Sequence, residues 1–127
     1  KQNNLLEKIH LLGPIYDEKT KAEIFSKSIA SISPLQAGLS VLESMGYGVP
    51  YITMKNAITG GEAFNIDNHV NGLTLDDISE FKNIILDISI DKPKYIQFGL
   101  NAYNHYWKNR KPEDMAKGIR YAIEQKI

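Results

Sequence analysis

Between Ser33 and Thr53 the sequence reads SPLQAGLSVLESMGYGVPYIT, and two of its residues are placed to do chemistry. Gly38, with Leu39 after it, stands at the expected start of a helix, where the first backbone N–H groups have no partner within the helix. Glycine lets a ligand come close to the backbone, and such a start suits a phosphate or diphosphate. Glu43 lies a little more than one turn further on. A carboxylate there is placed to accept hydrogen bonds from a sugar diol, as an acidic residue does for ribose in dinucleotide folds. A second loop, Thr59-Gly60-Gly61, can turn its backbone N–H groups toward an anion. The chemistry implied is the holding of a diphosphate and a ribose. No residue is singled out as catalytic.

Each of these residues also has a plainer reading. Glu43 as a solvated helix glutamate is the ordinary fate of that residue type. Gly38 as a simple helix start and Thr59-Gly60-Gly61 as a flexible loop need no ligand. Gly48-Val49-Pro50 reads as structural, ending one element and aiming the next. Glu62 reads as a cap. Asp76 and Asp77 read as a capping pair, and Tyr103, Tyr106 and Trp107 recur at helical spacing as core or interface residues. His10, His69 and His105 lie far apart and form no metal-ligand spacing, and His10 falls inside an apolar run where packing is expected.

Elements that would position the Gly38–Glu43 corner follow from the periodicity. Ile9–Leu12, closed by Gly13-Pro14, predicts a short buried strand. DEKTKAEIFSKS predicts a helix of two to three turns capped by Asp17, with acids early and lysines later. Ile29–Ser33 predicts a second strand, ended by Pro34. Leu39, Leu42 and Met45 recur at helical spacing, and Gly46 and Gly48 supply the stop. Val49–Thr53 and the short GLTL predict two more strands, joined by a long polar connection with a turn of helix after Gly61. DDISEFKNIILDI predicts a helix with Ile78, Phe81, Ile84 and Ile85 on its inner face. Two further helices follow, each with a proline near its start, where a missing N–H is harmless. Short apolar strands alternating with helices predict an α/β fold with a Rossmann-like parallel sheet, closed by the two final helices.

Composition narrows the partners. Fifteen basic and fifteen acidic residues in 127 give a net charge of zero, which removes the electrostatic case for binding nucleic acid. The chain has no cysteine, so disulfides and thiolate metal sites are excluded. No apolar run reaches the ~20 residues that a membrane span needs. The length suits a single domain covering residues 1–127, and a chain starting at Lys1 rather than Met is expected to be a piece of a longer protein.

The same stretch resembles the C-terminal, nucleotide-sugar-binding half of retaining glycosyltransferases of the GT-B fold, the glycosyltransferase group 1, or family 4-like, kind. Gly38, Glu43, Gly48 and Pro50 fall on that family's Gly-x-x-x-x-Glu-Ala-x-x-x-Gly-x-Pro pattern. IHLLGPI resembles the strand and glycine before it, and TGGEAFNIDNHVNGLTL the Gly-Gly loop and strand after it. The resemblance spans Ile9 to Leu75 well and the final helices loosely. It implies that Gly38, Leu39, Gly60 and Gly61 hold the donor diphosphate and that Glu43 holds its ribose. It implies transfer of a sugar from a nucleotide-diphosphate donor to a glycan or lipid-linked acceptor, with no metal and no further cofactor. The sequence departs from the pattern at Leu35, eight positions before Glu43, where these enzymes usually carry a donor-sugar glutamate. Gln36 is the substitute the sequence offers. The acceptor-binding N-terminal half and the basic residues that grip the diphosphate are expected upstream of Lys1. The setting implied is cytoplasmic, at or near the inner face of the membrane. The Ile9–Leu12 strand would leave an edge open to self-association. Two alternatives stand beside this reading: a GT-B-fold nucleotide-sugar epimerase, which shares the corner, and a non-enzymatic α/β regulatory domain of receiver type.

Overall fold

The structure is a computed structural model that describes Leu5 and residues 7–125. Three short strands, β1 (Ser31–Ile32), β2 (Tyr51–Met54) and β3 (Gly72–Leu75), form one parallel sheet in the order β1-β2-β3. The register pairs Ser31 with Tyr51 and Ile32 with Ile52 on one side of β2, and Tyr51 with Gly72 through Met54 with Leu75 on the other. Helices flank this sheet: α1 (Glu18–Ser26), α2 (Ser40–Gly46), α3 (Glu80–Ile90), α4 (Lys92–Asn109) and α5 (Pro112–Glu124). A single 3₁₀ turn, Glu62–Asn65, interrupts the connection from β2 to β3. The chain is therefore α/β with a small parallel sheet, as the alternation of elements predicts.

Side-chain alternation along β2 divides the core into two layers. Tyr51 faces a cluster of Ala37, Val41, Met45, Ile66 and Ala102. Ile52, one residue on, faces the opposite cluster of Leu73, Leu75, Phe81, Tyr95 and Phe98. Helix α4 serves both layers, Ala102 entering the first and Tyr95 and Phe98 the second. Its central Gly99 lies directly against the turn after α2: a Cβ there would stand 2.1 Å from the carbonyl oxygen of Gly48. Gly48 itself has φ +76°, so the stop after α2 uses a conformation that glycine adopts without strain.

Several local expectations hold. Asp17 caps α1, its Oδ2 accepting the Thr20 N–H at 2.8 Å and the Thr20 hydroxyl at 2.6 Å. Prolines open α4 and α5. The helical turn after Gly61 is the 3₁₀ turn.

Others do not hold. Ile9–Leu12 forms no strand: the segment has no regular structure, and Leu11 is 96 % exposed. A strand is stable only where a neighbour completes its backbone hydrogen bonds, and this segment makes none with the sheet. The open edge argued for self-association therefore does not exist at these residues; the edge strands are β1 and β3. His10, expected to be packed, is exposed for the same reason. The second strand is shorter than Ile29–Ser33, because only Ser31 and Ile32 are in register with β2. In α3 the inward residues are Phe81, Ile84 and Ile88, while Ile78 and Ile85 are more than half exposed. The capping pair also separates: Asp77 accepts the Ser79 N–H at 2.8 Å, whereas Asp76 pairs with Lys55 at 2.7 Å.

Candidate functional site

The corner between β1 and α2 lies at the carboxyl end of a parallel strand, where α/β sheets bind ligands. Its loop is held from below by Tyr51. The Tyr51 ring is buried under the sheet, and its hydroxyl lies 2.8 Å from the Ser40 hydroxyl and donates to the Gln36 carbonyl at 3.1 Å. The loop is also tied sideways. Ala37 N–H donates to Ile58 O at 2.8 Å and Ile58 N–H to Leu35 O at 2.9 Å. These bonds set the Gln36–Gly38 loop beside the chain that leads into Gly60 and Gly61.

Gly38, Leu39 and Ser40 each present a backbone N–H that no acceptor takes among the described residues. Nothing lies within 4 Å of where a Gly38 Cβ would stand, so packing does not demand glycine at this position. Helix α2 has seven residues and no side-chain cap. So short a helix adds little dipole, and any affinity for an anion rests on the N–H donors themselves. Leu39 is 73 % exposed. Gln36 is exposed and its side chain makes no hydrogen bond among the described residues.

The Gly60-Gly61 loop is in a different state. Gly60 N–H donates to Glu62 Oε2 at 2.9 Å, and Gly61 N–H to the Thr59 hydroxyl at 3.1 Å. Gly61 has φ +123°, which only glycine takes readily. The donors assigned to a diphosphate are thus occupied within the loop, and an anion would reach them only by displacing Glu62 and Thr59. From the far side, Asn65 steadies the following turn: its Oδ1 accepts from Arg110 Nε at 2.6 Å and lies 3.2 Å from His105 Nε2. Burial, and then the nearby Arg110 charge, push the His105 pKa down from its ordinary value.

Glu43 is exposed and carries an ion pair. Its Oε1 accepts from Lys21 Nζ at 2.9 Å, and the same ammonium pairs with Glu18 Oε1 at 2.6 Å. Glu18 Oε2 accepts the Tyr47 hydroxyl at 2.9 Å, and the Tyr47 ring stacks on Phe25 at 4.6 Å and 9°. The Lys21 ammonium, then the Tyr47 hydroxyl, hold the Glu18 carboxyl below its usual range. Glu18, then Glu43, raise Lys21 well above its own. Glu18 in turn raises the Tyr47 phenol.

This chain of contacts opens onto a groove of about 490 Å³. Glu18, Lys21, Leu39 and Glu43 line it, together with Tyr106 and Trp107 of α4, Arg110 just after that helix and Met115 of α5. Glu43 and Leu39 therefore face one concavity that runs from the start of α2 along its outer surface. Lys21, Tyr47 and Trp107 were not legible as site residues. The one sequence signal for Lys21 is its place on the helix that a parallel fold must lay beside α2.

Among the described residues no three His, Cys, Asp or Glu side chains gather closely enough to hold a metal ion. No helix among them is long and apolar enough to cross a membrane. No family model matches the sequence, and no curated protein matches it either.

Proposed function

We propose that the chain is the nucleotide-sugar-binding part of a retaining glycosyltransferase of the GT-B kind, with a Rossmann-like sheet. The enzyme moves a sugar from a nucleotide-diphosphate donor to a glycan or lipid-linked acceptor. The observation that carries this reading is the placement of Glu43. Its carboxylate is bonded to Lys21 through one oxygen and lines the same groove as Leu39, whose N–H, like those of its neighbours Gly38 and Ser40, has no acceptor among the described residues. An ionised carboxylate is an acceptor only, so its natural partners are hydroxyls or N–H groups. The unpaired N–H groups are donors only, so their natural partner is an anion. A ribose diphosphate carries both features next to each other in that order. Exposed apolar and aromatic walls, Leu39, Trp107 and Met115, suit the flat parts of such a ligand.

In the reaction the diphosphate leaves with developing charge. Fixed N–H donors aimed at that charge stabilise it without reorganising. Glu43 would hold the ribose in both ground and transition states, so it serves binding and alignment.

The test is isothermal titration of the protein with uridine, guanosine and adenosine diphosphates, for the wild type and Glu43→Gln. One nucleotide should bind, and the substitution should weaken it about tenfold, since hydrogen bonds to a charged acceptor exceed neutral ones by roughly that factor. Unchanged affinity in Glu43→Gln would return Glu43 to the role of a helix clip. Incubation of a longer protein that carries the acceptor-binding half with the bound nucleotide's sugar conjugate, with and without acceptors, then separates transfer from epimerisation by the sugar recovered.

A further inference from the structure

We infer that Lys21 is a positioning residue for Glu43, presenting one carboxylate oxygen to the ribose diol while occupying the other. The inference rests on the reading of Glu43 as a ribose ligand and adds a residue from a different helix to it. Lys21 Nζ bonds Glu43 through Oε1 only, and Glu43 Oε2 has no hydrogen-bond partner among the described residues. The carboxylate is thus pinned at one oxygen, and the second oxygen is open. A carboxylate held by one oxygen loses rotamer freedom before the ligand arrives, and that cost no longer falls on binding.

Lys21 is not placed to act on a phosphate itself. Its side chain is 21 % exposed, and it already contacts two carboxylates, at 2.6 Å and 2.9 Å. Its charge is neutralised by Glu18 before a ligand could use it. Glu18 is in turn anchored by the Tyr47 hydroxyl, and Tyr47 by its stack on Phe25. Each link fixes the next: the aromatic stack sets Tyr47, Tyr47 sets Glu18, Glu18 sets Lys21, and Lys21 sets Glu43. The series crosses from α1 to α2 and ends at the groove, with its last acceptor atom open.

The test compares the wild type with Lys21→Met, Lys21→Arg and Glu43→Gln. Each is titrated with a ribonucleoside diphosphate and with its 2′,3′-dideoxy analogue, which has the phosphates and base but no diol. Thermal melting of each variant reports folding. Lys21→Met should weaken the ribonucleotide about fivefold, in the range of coupling between contacting residues, and change the dideoxy analogue less than about twofold. Lys21→Arg, which keeps the charge and a donor, should restore most of the loss. If Glu43→Gln fails to distinguish the two nucleotides, the ribose reading of Glu43 is wrong and the inference falls with it. If Glu43→Gln distinguishes them and Lys21→Met does not, the ribose reading stands and Lys21 is only a helix clip. If Lys21→Met loses both nucleotides equally along with its melting transition, the lysine acts through folding, and the inference is again overturned.

Discussion

Replacing Gly99 by alanine should destabilise the protein although alanine is the better helix former. Gly99 is inside α4, and alanine at such a position normally gains about 1 kcal/mol. Here the new Cβ would lie 2.1 Å from Gly48 O, 3.1 Å from Gly48 C and 3.3 Å from Pro50 Cδ. Carbon and carbonyl oxygen settle at about 3.3 Å or more, so the helix and the turn would have to part by roughly 1 Å. The obstacle is backbone, not the end of a flexible side chain, and Gly48 at φ +76° is already committed to a tight turn. Overpacking of this kind costs about 1–3 kcal/mol, and the upper end applies when backbone must move. Net of the helix gain, the loss is about 2 kcal/mol, or a fall in Tm of roughly 8 °C for a chain of this length. Gly118→Ala is the matched control. It lies in α5 with nothing within 4 Å of its Cβ position, so only the helix gain remains and Tm should rise. Urea unfolding followed by circular dichroism, with thermal melts of the three proteins, measures both. If Gly99→Ala is as stable as Gly118→Ala, α4 does not sit on the Gly48 turn, and the placement of Tyr106 and Trp107 along the groove goes with it.

Two further outcomes follow from single contacts. Gly38→Val should leave Tm within about 2 °C, because no atom crowds its Cβ position and surface changes of this kind cost little. On the proposed reading it should nevertheless weaken nucleotide binding, and affinity equal to that of the wild type by titration would remove the anion from the Gly38 corner. Asp87 accepts from Lys94 at 2.6 Å and from the buried Tyr95 hydroxyl at 2.7 Å, and these, Lys94 first, hold its pKa below the usual value. A lowered folded-state pKa gives stability that is whole above the unfolded value near pH 4 and is lost as the pH falls through the folded value. Melting of the wild type should therefore decline below about pH 4, and the decline should be shallower in Asp87→Asn; parallel acid limbs would contradict it.

What the sequence made legible was local. Asp17, Pro93 and Pro112 act within one turn of where they stand, through caps and a missing N–H, so their residue types suffice to place them. The alternation of strand and helix likewise gives the α/β class. The strand at Ile9–Leu12 failed because apolar character is necessary for a buried strand and does not provide a neighbour. A four-residue run earns a place in a sheet only when another backbone pairs with it, and that is a property of the whole fold. In α3 the pattern could not separate Ile84 from Ile85, since isoleucines at 84, 85, 88 and 90 make more than one face apolar. Contact with Tyr95 and Phe98 decided it.

The corner at Gly38 shows the same division more sharply. Gly38 and Glu43 could be named as candidates because they fall on the pattern of the resemblance, although each also has a plainer reading. What holds them in place could not be named, because it comes from elsewhere in the chain. Tyr51 looks like any aromatic in a strand; only the parallel register puts its hydroxyl under Gln36 and Ser40. Lys21 looks like one of many surface lysines; only the packing of α1 beside α2 brings it to Glu43 across 22 residues. Gly60 and Gly61 mark the opposite case. The sequence reads them as a flexible loop or a nest for an anion, and in the structure their donors are filled by Thr59 and Glu62. Spacing can say which groups are able to meet a ligand. It cannot say which of them the protein has already used, and for an anion site that difference decides whether a donor is available. At Gly38 the donors are unused among the described residues, and at Gly60 they are not. On the proposed reading a diphosphate would first meet the β1–α2 loop, and the second loop would join it only if Glu62 turned out.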